Sequence, residues 1–123
     1  MGPFKFMPFM QCRHSVFSMK HQVEGQITVN KQIYNFRNGI GYIEGDRGYS
    51  FPKRYIWTQC CFKGGSLMLS VADIPLLGFH FNGIIGIVLF NGEEHRIATY
   101  LGASVKKIGN NTVAVKQGNY SLT

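Results

Sequence analysis

Short apolar runs broken by Asn and Gly are the feature that most narrows what this chain can fold into. Asn30-Lys31 separates Val23–Val29 from Ile33–Phe36, Asn91-Gly92 separates Ile84–Phe90 from His95–Leu101, and Gly109-Asn110-Asn111 separates Val105–Ile108 from Val113–Val115. Asn and Gly tolerate the positive φ of a two-residue type I′ turn, so each break reads as a hairpin. A further pair, Tyr55–Phe62 and Leu67–Ala72, turns at Gly64-Gly65. Helical spacing is not sustained over a dozen residues anywhere. The expected fold class is all-β: an antiparallel meander with few or no helices, closed into a barrel, left as a half-barrel, or stacked as a sandwich to hide its edges.

A chain of 123 residues fits one domain. Residues 1–123 are expected to form a single β domain that is incomplete at one or both ends. The chain opens on Met1-Gly2-Pro3-Phe4 with no preceding element, and Tyr120-Ser121-Leu122-Thr123 reads as a strand cut short. With open strands at both ends, the chain is expected either to form a homodimer or to leave a long edge exposed. With 45% hydrophobic and 15% charged residues, the composition is that of a globular chain. The longest apolar stretch, Ile84–Phe90, falls far short of the ~20 residues that cross a bilayer, so no membrane span is expected. Met1–Met10 lacks an apolar core and a small-residue cleavage site, which argues against secretion. Cys12, Cys60 and Cys61 cannot all pair within one chain and read as reduced thiols of a cytoplasmic protein. The net charge of +7 is spread from Lys5 to Lys116 rather than gathered into a stripe. Specific nucleic-acid binding is therefore not expected, and a basic β-sheet nucleic-acid binder is the least favoured function.

Gly39–Gln59 departs from generic strand and turn. Glu44 and Asp46 lie two apart and share one face of an extended chain. Two carboxylates on one face raise one another's pKa, and in an apolar setting one can keep the proton a general acid needs. Gly45 and Gly48 suggest a bend or a close approach around Asp46, ended by Phe51-Pro52. In the following strand Tyr55, Trp57, Gln59 and Cys61 share a face, and a plain core would hardly select Gln there. The bland reading of Glu44 and Asp46 is that they cap turns and pair with Arg47, Lys53 or Arg54. Asp73, inside the apolar Leu69–Ile74 stretch, must be paired or must serve a site. Cys12, His14 and His21 have spacings that match no zinc pattern, so no metal is expected.

The run Glu44-x-Asp46-x-Gly48-x-Ser50-Phe51-Pro52-x-x-Tyr55-x-Trp57-x-Gln59 resembles the signature of the tocopherol-cyclase-like family. The likeness extends through Pro8-Phe9-Met10-x-Cys12-x-His14, Ser18-Met19-x-His21, Leu69–Pro75 and Ala98-Thr99-Tyr100-x-Gly102. It implies a lipocalin-like β-barrel, a small apolar or prenylated aromatic ligand, and acid-catalysed closure of a prenylated phenol or quinol to a chromanol without cofactor or metal. On that resemblance Asp46 or Glu44 is the catalytic acid. Tyr55, Trp57, Gln59, His14 and Asp73 are the ligand-binding candidates. Plant members usually carry Trp where this chain has Arg47, a cation that would lower the pKa of neighbouring carboxylates. A non-catalytic module for a lipid-like ligand is the alternative reading.

Overall fold

The computed structural model describes residues 12–76 and 78–123, with the backbone alone at Leu76. Met1–Met10 and the Pro8-Phe9-Met10 part of the family likeness lie outside the described residues. The described residues form nine strands, antiparallel to their neighbours within each sheet: β1 Cys12–Val29, β2 Gln32–Gly48, β3 Tyr55–Phe62, β4 Gly65–Leu76, β5 Phe79–Phe90, β6 Glu93–Ala98, β7 Ser104–Gly109, β8 Thr112–Gln117 and β9 Tyr120–Leu122. Among the described residues there is no α-helix, so the chain is all-β as its sequence predicts. The expected hairpin turns form where Asn supplies positive φ: 51° and 67° at Asn30 and Lys31, 49° and 84° at Asn91 and Gly92, 52° and 56° at Asn110 and Asn111.

The barrel does not close. The strands divide into a β1–β2 ribbon, a β3–β4–β5–β6 sheet and a β7–β8–β9 sheet. Three local differences from the sequence reading accompany this. β1 and β2 run far beyond Val23–Phe36. β6 stops at Ala98, where Thr99–Leu101 makes one turn of 3-10 helix ended by Gly102 at φ 85°. The expected bend at Asp46 is absent, because β2 stays paired with β1 as far as Cys12↔Gly48. The close approach is real: a Cβ on Gly45 would stand 2.9 Å from the Phe17 ring.

Alternation along β3–β6 gives the central sheet two working faces. Leu69, Val71, Ile84 and Ile97 point one way and bury against Ala103 and Val115, with Leu67, Val88, Val105, Val113 and Leu122 packed around them. Each such aliphatic side chain contributes about 1.5–3 kcal/mol when fully buried. The opposite face carries Tyr55, Trp57, Ser70 and Ala72, in register with Ile85 and Gly83 of β5. The open end of the ribbon, with Cys12, His14 and Glu44, lies over this second face. The free end of the ribbon leaves Ile27, Val29, Ile33 and Tyr34 exposed.

Asp73 is paired. Its carboxylate accepts from Arg54 Nη2 at 2.9 Å and lies 3.0 Å from His80 Nδ1. The Arg54 hydrogen bond, with His80 adding to it, holds the Asp73 carboxyl below its ordinary value of 3.8 despite some desolvation. A carboxylate with a lowered folded pKa stabilises the fold above its unfolded pKa and loses that contribution as pH falls. Asp73→Asn is therefore expected to flatten the loss of stability below about pH 4. Urea midpoints measured from pH 6 to pH 2 check this, and an unchanged acid limb would remove the pair from the account.

Candidate functional site

The register of β1 against β2 builds the site. His14 stands opposite Asp46 and Val16 opposite Glu44, so His14, Glu44 and Asp46 occupy one face of the ribbon, the face turned to Trp57. His14 Nδ1 contacts Glu44 Oε1 and lies 2.7 Å from Asp46 Oδ1. Glu44 Oε2 accepts from the Tyr42 hydroxyl at 2.5 Å and from the Trp57 indole N–H at 3.1 Å. Glu44 is thus held from three sides, and its side chain is only 10% exposed. Among the described residues Asp46 pairs with His14 alone, and its side chain is 32% exposed.

Arg47, the cation expected to act on these carboxylates, is adjacent to Asp46 on the strand and so points to the other face of the ribbon, across from Arg13. Burial pushes the Tyr42 phenol far above its ordinary range, and its hydrogen bond to Glu44 pushes the same way. Burial also raises the Cys12 thiol, with the charge of Asp46 adding to the effect. Cys12 is thereby kept as a neutral thiol, a poor nucleophile. All three cysteines are free.

Two hollows meet at His14. One is an apolar cleft of about 70 Å³ bordered by Cys12, His14, Phe51, Pro52, Tyr55, Ala72, Ile74 and Phe81. Phe51 and Tyr55 stack on its wall with ring centroids 6.0 Å apart. The other, about 270 Å³, is bordered by His14, Ser15, Arg96, Ile97 and Tyr100. His14 therefore sits between an apolar space and a more polar one.

Of the residues singled out from sequence, Glu44, Asp46, His14 and Trp57 come together, and Tyr55 lines the adjoining cleft. Gln59 shares the face of Trp57, but its amide donates to Cys61 Sγ at 3.5 Å. Asp73 lies on the opposite face of β4, away from the cluster. His21 is held by Ser18 Oγ at 2.9 Å over Gly41. Sequence reasoning missed Tyr42, although Tyr42, Glu44 and Asp46 alternate along β2 and a period of two would have found it. Tyr100, which borders the polar hollow, stood in the sequence reading only as part of the family likeness.

No family model, curated protein or solved structure matches the chain. Among the described residues no helix is long and apolar enough to cross a membrane.

Proposed function

We propose that this chain binds an amphipathic prenylated phenol or quinol and closes it to a chromanol by acid catalysis, in the manner of the tocopherol-cyclase-like family that its Glu44–Gln59 run resembles. The observation that carries the reading is the cluster of His14, Glu44 and Asp46, whose His14 borders both an apolar cleft and a more polar hollow. The cleft takes the alkene end of a tail, and the hollow takes a hydroxylated ring. A space of about 70 Å³ suits one isoprene unit rather than a whole ligand, so the remaining tail lies along the open side of the cleft.

In the reaction the Asp46 carboxyl, in contact with His14 Nδ1, gives its proton to the less substituted alkene carbon. The alkene π pair makes the new C–H bond and leaves a tertiary cation. A lone pair of the phenol oxygen closes the C–O bond, and the phenolic proton returns to the carboxylate. The product is an isomer of the substrate, and no oxidant or cofactor is consumed. Tyr55 and Trp57 are the rings that would face the cation. Glu44, fixed by Tyr42 and Trp57, holds His14 in place. Association through the uncovered apolar end of the ribbon belongs to the same proposal, as does a cytoplasmic setting, which the three free thiols support.

Incubation with a short-chain prenylated quinol tests the reading. Chromatography is expected to give a product of unchanged mass lacking one phenolic hydroxyl, and emission of Trp57, the single tryptophan, is expected to change on binding. Emission change without product would leave a binding module for apolar ligands, and neither signal would overturn both.

A further inference from the structure

The His14–Glu44–Asp46 cluster gathers two carboxyl groups on one imidazole nitrogen. Nδ1 of a neutral or cationic imidazole carries at most one hydrogen, yet two carboxylate oxygens crowd that single nitrogen. Nδ1 is itself buried, and among the described residues it makes no hydrogen bond of acceptable direction. Two carboxyl groups thus face one imidazole from one side, with an unsatisfied buried nitrogen between them. Such an arrangement is costly unless a further positive charge enters it.

One ligand atom from each of the three side chains lies within 4.8 Å of the others. Zinc binds imidazole nitrogen and carboxylate oxygen at about 2.0–2.2 Å, so an ion placed among them reaches all three after small side-chain rotations. We propose that His14, Glu44 and Asp46 form a binding site for a divalent first-row transition ion, zinc being the type ion. An imidazole beside two carboxylates favours such an ion over magnesium or calcium, which take oxygen ligands alone. Three protein ligands leave the fourth position of a tetrahedral ion open, and the adjoining hollows give it room for water or a ligand oxygen. Tyr42 and Trp57, which donate to the far oxygen of Glu44, act as the outer partners that orient a metal-bound carboxylate.

The inference goes beyond the cyclase reading and does not depend on it. Metal and catalytic proton would occupy the same oxygens, so zinc would inhibit an acid-catalysed reaction at this site.

The test is equilibrium dialysis of the chelator-treated full chain against micromolar zinc, with Trp57 emission as a second readout, since its indole N–H reaches Glu44. One zinc per chain and a zinc-dependent emission change are expected. Asp46→Asn, which keeps the size of the side chain, is expected to lower zinc affinity at least about a hundredfold, and Tyr42→Phe about tenfold, as outer-partner losses do. The exposed pair of Glu93 and His95 serves as control, and removing it with Glu93→Gln and His95→Ala should leave zinc binding unchanged. No retained zinc, or retention that survives Asp46→Asn while falling in the Glu93/His95 control, overturns the site. Because no substrate is present, this outcome is separate from success or failure of the cyclisation assay.

Discussion

Asp46→Asn is expected to lower the rate of chromanol formation by about 10²–10⁴-fold, the range that a positioned general acid contributes. An amide fills the space of the carboxyl and can still meet His14, but it has no acidic proton to deliver. The fold should hold, because among the described residues Asp46 pairs only with His14 and is 32% exposed, so the urea midpoint should move little. Glu44→Gln is the informative contrast. Glu44 accepts from Tyr42 and Trp57 and contacts His14 in a place of 10% exposure, and an amide must turn an N–H toward at least one of these groups. That variant should lose stability and substrate affinity together, whereas Asp46→Asn loses turnover alone. The measurement is kcat and KM by product chromatography beside urea unfolding of each variant. Wild-type turnover in Asp46→Asn would remove Asp46 as the acid.

Leu69→Ala is expected to destabilise the protein by about 2–5 kcal/mol, the range for a large aliphatic residue removed from a packed interior. Leu69 is 3% exposed and packs in the cluster with Val71, Ile84, Ile97, Ala103 and Val115 that joins the central sheet to β7–β9. Gly86 leaves room for it, since a Cβ there would stand 3.0 Å from Leu69 Cδ1. Backbone on both sides limits how far the site can collapse, so a cavity should persist. Ile33, equally aliphatic but 58% exposed at the free end of the ribbon, should change stability by no more than about 0.5 kcal/mol when cut to Ala. Urea unfolding followed by Trp57 emission compares the two. Equal losses would mean that the ribbon end is covered by something and that the core assignment is incomplete.

The hairpin turns were legible because their cause is local. Asn91-Gly92 and Asn110-Asn111 adopt positive φ whatever the rest of the chain does, and an alternating apolar run on each side finds its neighbour by default. The length of β1 was not legible. In Cys12–Gln22 the alternation sets Arg13, Ser15 and Phe17 outward against His14, Val16 and Ser18, a mixture with no clean apolar face. Gly45 and Gly48 suggested a bend for want of side chains, yet Gly45 is there to let the Phe17 ring approach a straight strand.

Sequence alone determined the all-β class, the turn positions and the facing of Glu44 with Asp46, since each follows from φ preference or a period of two. The partner of those carboxylates was decided only in three dimensions. Counted back from the Asn30-Lys31 turn without interruption, β1 would set His14 opposite Arg47 and turn Glu44 and Asp46 to the other face. Bulges between Val16 and Ser18, Ser18 and His21, and Val23 and Gly25 shift the register by one net residue and set His14 opposite Asp46. A bulge is placed by how the whole ribbon coils over the central sheet, where Trp57 reaches Glu44, and no local residue pattern along β1 marks it.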